Sequence, residues 1–328
     1  MADLSCRICG ASGAFKVYHA SEKMFGLGGD FPYFMCGNCG CLQIAEIPTD
    51  LSPYYPTGYY SLKPLELSPN EGIQAAGRGW RLRSYLDGLH GETLWKPLCG
   101  VREFFPWLKR LKARPTHRVL DVGAGNGSFL RDLRLFGFKD LTGIDPFLDA
   151  DLRYADGFQV LKQGLEDVHG SYDLITAHHS LEHMPDQAFA MKRLAELLAP
   201  GGKLLIRIPV VPSVAWDIYG INWVGLDAPR HLYLHSLQSL GMLAKEAGLE
   251  LTHVEFDSSD FQFWASEQYR KGIALHAPQS WAVDRRASPF SRWNIMQFRR
   301  RAKALNRQGR GDSAVFFLRA AAPDPVKS

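Results

Sequence analysis

The chain has 328 residues, 46% of them apolar and 22% charged, with a formal net charge of +4. That length accommodates one large domain plus a small one, with an ordinary globular composition. It contains no run of about 18 apolar residues, and its first residues, Met-Ala-Asp-Leu-Ser-Cys, lack a basic-then-apolar pattern, so neither a membrane span nor a secretory signal is expected. A reducing cytoplasm is the expected location, with cysteines acting as thiolates rather than in disulfides. A charge of +4 does not by itself imply a nucleic-acid partner.

Five of the six cysteines precede residue 42. Cys6-x-x-Cys9 and Cys36-x-x-Cys39 form two pairs, each followed directly by a glycine that permits a tight turn. Two such knuckles can present four thiolates tetrahedrally, so residues 1–50 read as a zinc ribbon with Cys6, Cys9, Cys36 and Cys39 as ligands and short strands near 15–18 and 33–35. Four thiolates leave no open position, which makes this zinc structural. A redox pair or unrelated cysteines are the alternatives, and the doubling argues against both. Cys41 reads as a bystander, with replacement of Cys39 as the other option, and Cys99 as a small buried hydrophobe. The segment sets Arg7, Lys16 and Lys23 against Asp3, Glu22, Asp30, Glu46 and Asp50. That balance suits scaffolding or substrate capping better than phosphate binding.

Residues 48–69 are rich in proline and tyrosine. The tyrosines either pack across a domain boundary or wall an acceptor pocket. Helices are expected at 79–90 and 101–113. An apolar strand follows at 118–122 and ends in Gly123-x-Gly125-x-Gly127, where glycine lets the backbone approach a ligand closely. A helix at about 128–136 and a strand at 140–144 then place Asp145 where ribose hydroxyls would lie. The glycine spacing is not the dinucleotide form, and no Lys-Ser or Lys-Thr follows as in a nucleoside-triphosphate loop.

Farther along, 174–177 reads as a strand with His178 and His179 at its C-terminal end, the ligand side of an open α/β sheet. His183 lies one helical turn after His179. A strand at 204–208 follows the turn Pro200-Gly-Gly and leads into a loop containing Ala228-Pro-Arg-His-Leu-Tyr-Leu-His-Ser236. Ser236 reads as the cap of a helix over 237–247 that Gly248 ends. Strands at 251–256 and 314–318 enclose a long insertion, about 257–312. There Arg285, Arg286, Arg292, Arg299, Arg300, Arg301, Lys303, Arg307 and Arg310 run without an intervening acid. The run is either a solvated helix face or a contact for a phosphate-bearing substrate or anionic lipid surface.

Four stretches together resemble class I S-adenosylmethionine-dependent methyltransferases. Val-Leu-Asp-Val-Gly-Ala-Gly-Asn-Gly at 119–127 with Gly-Ile-Asp at 143–145 resembles the first motif and the ribose-binding acid. Tyr-Asp-Leu-Ile-Thr-Ala-His-His-Ser-Leu-Glu-His at 172–183 resembles the fourth strand and its loop, and Leu-Ala-Pro-Gly-Gly-Lys-Leu-Leu-Ile at 198–206 the turn into the fifth. The resemblance covers about 116–255. It implies a seven-stranded, doubly wound α/β sheet with an antiparallel last strand, preceded by the small zinc-ribbon domain. The implied division is 1–50 ribbon, 51–115 linker and helical segment covering the cofactor or acceptor site, and 116–328 catalytic domain with the basic insertion.

The same resemblance implies S-adenosyl-L-methionine as cofactor, held by Asp121, Gly123, Gly125, Gly127 and Asp145, with Pro146 on the adenine side. By position along the chain, 158–161 resembles the third strand and Leu165 or Glu166 lies near adenine. His178 is a further candidate to orient the cofactor. Methylation of a hydroxyl needs a proton acceptor, and histidine titrates in the right range. His231 ranks first as base because its loop borders the acceptor in enzymes of this type, then His179, with His178 as the remaining catalytic candidate. His183, beside Glu182, reads as structural, and His235 as support for the following helix.

The ribbon and core together are similar to bacterial sugar and natural-product methyltransferases. C-methylating enzymes of that group typically carry a further C-terminal α/β domain, for which the chain has no room after its last predicted strand. O-methylation of a sugar, glycan precursor or secondary metabolite is therefore expected. The acceptor would be a small molecule or a sugar linked to phosphate. An RNA methyltransferase and a non-catalytic cofactor-binding scaffold are the alternatives.

Overall fold

A computed structural model describes residues 4–56, 61–66 and 104–322. The expected helix at 79–90, the start of the one at 101–113, Cys99 and two of the linker tyrosines, Tyr59 and Tyr60, lie outside the described residues. The chain divides into two compact units. One comprises Met1–Pro56, His179–Lys192 and Ile206–Phe316, the other Thr57–His178, Arg193–Leu205 and Phe317–Ser328.

In the first unit, β1 (Leu4–Ser5) and β2 (Ser12–Gly13) form a small antiparallel pair. The strands β3 (Lys16–Glu22), β4 (Gly28–Met35) and β5 (Leu42–Ile44) form an antiparallel meander. Tyr33, Phe34, Leu42 and Ile44 of this meander are buried. The fourth strand of this sheet is β12 (Tyr233–Leu234), which pairs with β5 in the register Tyr233↔Gln43 and Leu234↔Leu42. The cysteine-rich segment thus shares its sheet with residues from much farther along the chain. The compact unit that holds the cysteine-rich segment also takes in 179–192 and 206–316.

The second unit is built on a parallel core. Helix α1 (Phe105–Arg110) precedes β6 (Arg118–Val122), α2 (Ser128–Leu135) and β7 (Asp140–Ile144). Then come β8 (Leu152–Arg153), β9 (Gln159–Leu161) and β10 (Tyr172–His178). Val119, Leu120 and Val122 are buried in succession, as in a strand covered on both faces. From β6 the chain builds outward to β7 and β9 on one side, and β10 then joins β6 on its other side. The order therefore reverses at β6, and the crevice at the C-terminal end of such a strand is where open α/β sheets bind ligands.

The remaining elements are α3 (Gln187–Glu196), β11 (Leu198–Pro209), α4 (Val214–Tyr219), α5 (Leu237–Glu246) and β13 (Leu249–Phe256). They are followed by α6 (Phe261–Arg270), α7 (Arg292–Arg307) and β14 (Ser313–Ala320). The large sheet runs β13-β14-β11-β10-β6-β7-β9-β8. It has eight strands where seven were expected, and its last strands are antiparallel. The extra one is β8, a two-residue strand antiparallel to β9 at the sheet edge. The fifth strand of the core also begins earlier than expected, at Leu198, so the Pro-Gly-Gly segment is part of it. Gly202 is required there, because a Cβ would lie 2.9 Å from the carbonyl oxygens of both Ala199 and Tyr172. Ser236 caps α5 in a reciprocal capping box with Ser239, as its place before the apolar run implied. Among the described residues no helix is long and apolar enough to cross a membrane.

Candidate functional site

The glycine loop sits at the reversal point. Gly123, Gly125 and Gly127 have φ of +72°, +53° and +80°, values that a side chain disfavours. The amides of Gly123 and Ala124 both donate to Ile144 O, at 2.9 and 3.0 Å, so the loop is tied to the end of β7. A Cβ on Gly125 would lie 2.5 Å from Ser61 O, and the Asn126 side-chain Nδ2 donates to Lys63 O at 3.0 Å. The short stretch 61–66 therefore lies against the loop, and Gly125 leaves room for it.

Asp145 is buried at the end of β7. Its Oδ2 accepts from the Gly125 amide at 2.9 Å and its Oδ1 from the Phe147 amide at 3.0 Å. Asp121, on β6, accepts from the Thr176 hydroxyl of β10 at 2.7 Å, directly across the parallel register. Burial raises its carboxyl to about 7, with nearby Asp145 adding to the shift and Thr176 opposing it. Pro146 is exposed; Leu165 is buried in a 3-10 turn, and exposed Glu166 folds back against Gly164. His178 belongs to this unit, its ring stacked on Trp107 at 5.9 Å and 4.5 Å from Phe129.

The other histidines converge in the first unit around a residue that sequence reading treated only as a neighbour, Glu182. Its side chain is wholly buried, and Oε1 faces His179 Nδ1 at 3.2 Å. Burial would raise this carboxyl, but the His179 hydrogen bond and the surrounding histidines outweigh it and hold it at about 2. His179 takes φ +50°, a strained value for a residue with a side chain, and its side chain is 42% exposed. His231 differs: its side chain is 12% exposed, its Nδ1 donates to Gly225 O at 2.8 Å, and its Nε2 faces Glu182 at 3.9 Å. His183 Nδ1 donates to Arg230 O at 2.9 Å, and Tyr55 Oη lies 3.2 Å from the same nitrogen. Burial lowers the His183 pKa, and His231 adds to the effect. His235 stands apart, bonded to Ser239 Oγ and Gln187 Oε1 at 3.0 Å each beside the start of α5.

Arg230 underlies this group. It is wholly buried and forms a fork with Asp227 (2.9 and 2.6 Å), an ion pair with Glu22 (2.9 Å) and a bond to Tyr54 O (3.0 Å). Neither Arg230 nor Glu22 carried a local signal. The His-x-x-Glu-His spacing at 179–183 did, since it places all three on one side of a helical turn.

The four cysteines come together. The Sγ atoms of Cys6, Cys9, Cys36 and Cys39 lie within 4.8 Å of one another, with Cys6–Cys39 and Cys9–Cys36 at 3.6 Å. Tetrahedral sulfur ligands at about 2.3 Å from a zinc ion would sit roughly 3.8 Å apart, so the set fits such an ion. Both knuckles repeat one hydrogen-bond pattern, Gly10 N to Cys6 O and Gly40 N to Cys36 O at 2.9 Å. Gln43 and Asn38 donate to Cys6 and Cys9 sulfur at 3.0 and 3.4 Å, as suits thiolates. The thiol contact with Cys39 pulls Cys6 down to about 4 and pushes Cys39 up. Cys41 lies outside the cluster, buried, with its sulfur 3.7 Å from Leu42 O.

Residues 98–254 match the family model of a methyltransferase domain. The ubiquinone biosynthesis O-methyltransferase of Bordetella avium is 31% identical over 181 residues, spanning 48% of this chain and 73% of that protein. Its counterpart in Xanthomonas euvesicatoria is 33% identical over 156 residues, spanning 42% of this chain and 64% of the relative. Among solved structures, the cyclopropane synthase MmaA2 of Mycobacterium tuberculosis aligns at 18% identity and a TM-score of 0.44, covering 77% of this chain and 99% of that one.

Proposed function

Because the chain belongs to the methyltransferase-domain family, with the class I, Rossmann-like fold, we propose that it transfers a methyl group from S-adenosyl-L-methionine to a hydroxyl oxygen of a small organic acceptor. The cofactor supplies an electrophilic methyl on a sulfonium. Asp145 and the glycine loop would hold it, with Asp121 behind the loop, and the acceptor oxygen would attack the methyl in line as the carbon–sulfur bond breaks.

The observation that carries the proton-acceptor assignment is the His179–Glu182 pair. A buried carboxylate only accepts, so His179 donates from Nδ1 and keeps Nε2 as its basic nitrogen. This is the histidine–carboxylate logic of general base catalysis, and the exposed ring can meet an acceptor hydroxyl. We therefore place His179 ahead of His231 as base, since both nitrogens of His231 face the protein. His178, among aromatic rings, fits a packing role within the unit that carries the glycine loop.

The cysteine cluster suits a structural zinc that pins the two knuckles together, a ribbon serving to stiffen the unit that carries it. Unbridged thiols of this kind suit a reducing compartment. A sugar or glycan precursor linked to phosphate is the narrower acceptor reading, supported by the basic face of α7. Arg299 of that helix pairs with Asp260 and Arg301 lies over the Phe263 ring, while Arg292 and Arg300 are exposed.

The test is transfer of labelled methyl to small-molecule fractions of the source cell, by the wild-type protein and His179→Ala. We expect label in a nuclease-resistant fraction and a fall in kcat of about 10²–10⁴-fold in the variant, with cofactor affinity retained. Equal rates at saturating acceptor remove His179 from the role.

A further inference from the structure

Around Glu182, the partner of exposed His179, lies a second convergence of donors, of which the methyl-transfer reading uses only Glu182 Oε1. Atoms of Glu182, His183 and His231 lie within 4.8 Å of one another. We propose that these three residues bind a divalent first-row transition-metal ion, at a site separate from the four cysteines.

The argument rests on where the protons are. A backbone carbonyl can only accept, so the bonds from His183 to Arg230 O and from His231 to Gly225 O place a proton on Nδ1 of each ring. The Nε2 atoms are thereby left to present lone pairs. This is the arrangement by which metal-binding histidines are oriented, with the far nitrogen held by a carbonyl and the near one aimed at the ion.

Glu182 adds the third donor. Its Oε2 is buried and has no hydrogen-bond partner among the described residues, a costly situation for a carboxylate oxygen. No proton bridges the nearest pair either. His231 Nε2 is 3.9 Å from Glu182 Oε1 and 3.8 Å from Asp227 Oδ2, both beyond hydrogen-bond reach. Asp227 is already committed to the Arg230 fork, so it does not neutralise the cluster.

Acceptor-only groups facing one another across a gap call for a cation. Two imidazoles and one carboxylate make a donor set suited to zinc, iron(II) or manganese(II), and three protein ligands leave positions open to water or another oxygen ligand. Calcium and magnesium, which favour all-oxygen shells, fit poorly. The site is complete within one unit of the chain and shares only Glu182 with the methyl-transfer reading.

The probe is cobalt(II), added to the full chain with the cysteine site loaded with zinc and followed by visible absorption and metal content. We expect one cobalt per chain with the zinc retained, and weak ligand-field bands without sulfur charge transfer. Glu182→Gln and His231→Gln should each weaken cobalt binding by at least about 100-fold, since changing even an outer-shell partner costs 10–100-fold. Unchanged zinc content and far-UV circular dichroism establish that each variant folds, and if one does not, the other decides. No cobalt uptake overturns the proposal, as does uptake only with a sulfur spectrum or equal uptake by both folded variants. The readout needs no cofactor or acceptor, so a failed methyl-transfer assay and a failed cobalt titration remain distinct results.

Discussion

Replacing Arg230 with methionine removes the positive charge from a largely buried cluster. The guanidinium and the Glu22 side chain are both 0% exposed, and Asp227 is 16% exposed. Arg230 satisfies both Asp227 oxygens, one Glu22 oxygen and the Tyr54 carbonyl. Glu22 also accepts from the amides of Phe25 and Leu27, so it cannot turn away without breaking the β3–β4 connection. Breaking a buried pair by removing one partner costs about 3–5 kcal/mol, because a buried charge is left uncompensated. Here two carboxylates lose the same partner, which puts the expected cost near the upper end. At roughly 2–4 °C per kcal/mol, thermal unfolding should shift down by about 8–20 °C. Glu22→Gln should cost clearly less, because Asp227 keeps its fork to Arg230. Unfolding of both variants, followed by tryptophan fluorescence, tests this. A methionine variant within about 1 kcal/mol of wild type, or equal losses in both variants, would refute the reasoning. The His183 contact to Arg230 O gives a second consequence, displacement of the histidine cluster and slower methyl transfer.

Asp145→Ala should weaken S-adenosylmethionine binding by about 3 kcal/mol, roughly 100-fold in Kd, as two charge-assisted hydroxyl contacts are lost. Calorimetric titration checks it, and an unchanged Kd sinks the ribose assignment. Asp121 predicts a pH dependence. Its folded pKa is raised to about 7 from an unfolded 3.8, so its contribution to stability is present in full below 3.8 and is lost as pH rises through 7. Denaturation curves across that window should show a smaller loss for Asp121→Asn than for wild type, and equal slopes would contradict the burial argument. Cys36→Ser should release zinc and lower the melting temperature, because ligand binding energy is folding energy in such clusters. Metal analysis of the purified variant reads this directly, and full zinc retention would exclude Cys36 as a ligand.

The features legible in the sequence are those set by a few adjacent residues. Glycines at 123, 125 and 127 mark a backbone that needs positive φ, and the structure has it at all three. Ser236 before an apolar run marked the start of α5, and paired Cys-x-x-Cys turns marked the four thiols that cluster. Such signals are local because dihedral preference, capping and knuckle geometry are local. Strand β8 escaped notice because two residues carry no periodicity, and its pairing with β9 makes the sheet eight-stranded. Tertiary structure alone decided the rest. Arg230 meets Glu22 across 208 positions of chain, and Tyr233 pairs with Gln43 to bind the cysteine segment into its unit. His231, His179 and His178 all read as candidate bases in the sequence. Burial and packing separate His179, 42% exposed, from His231, 12% exposed with Nδ1 tied to the Gly225 carbonyl, and from His178, packed against Trp107 and Phe129. The charge state and orientation of an imidazole depend on neighbours that folding brings from distant parts of the chain, and no spacing along the chain records them.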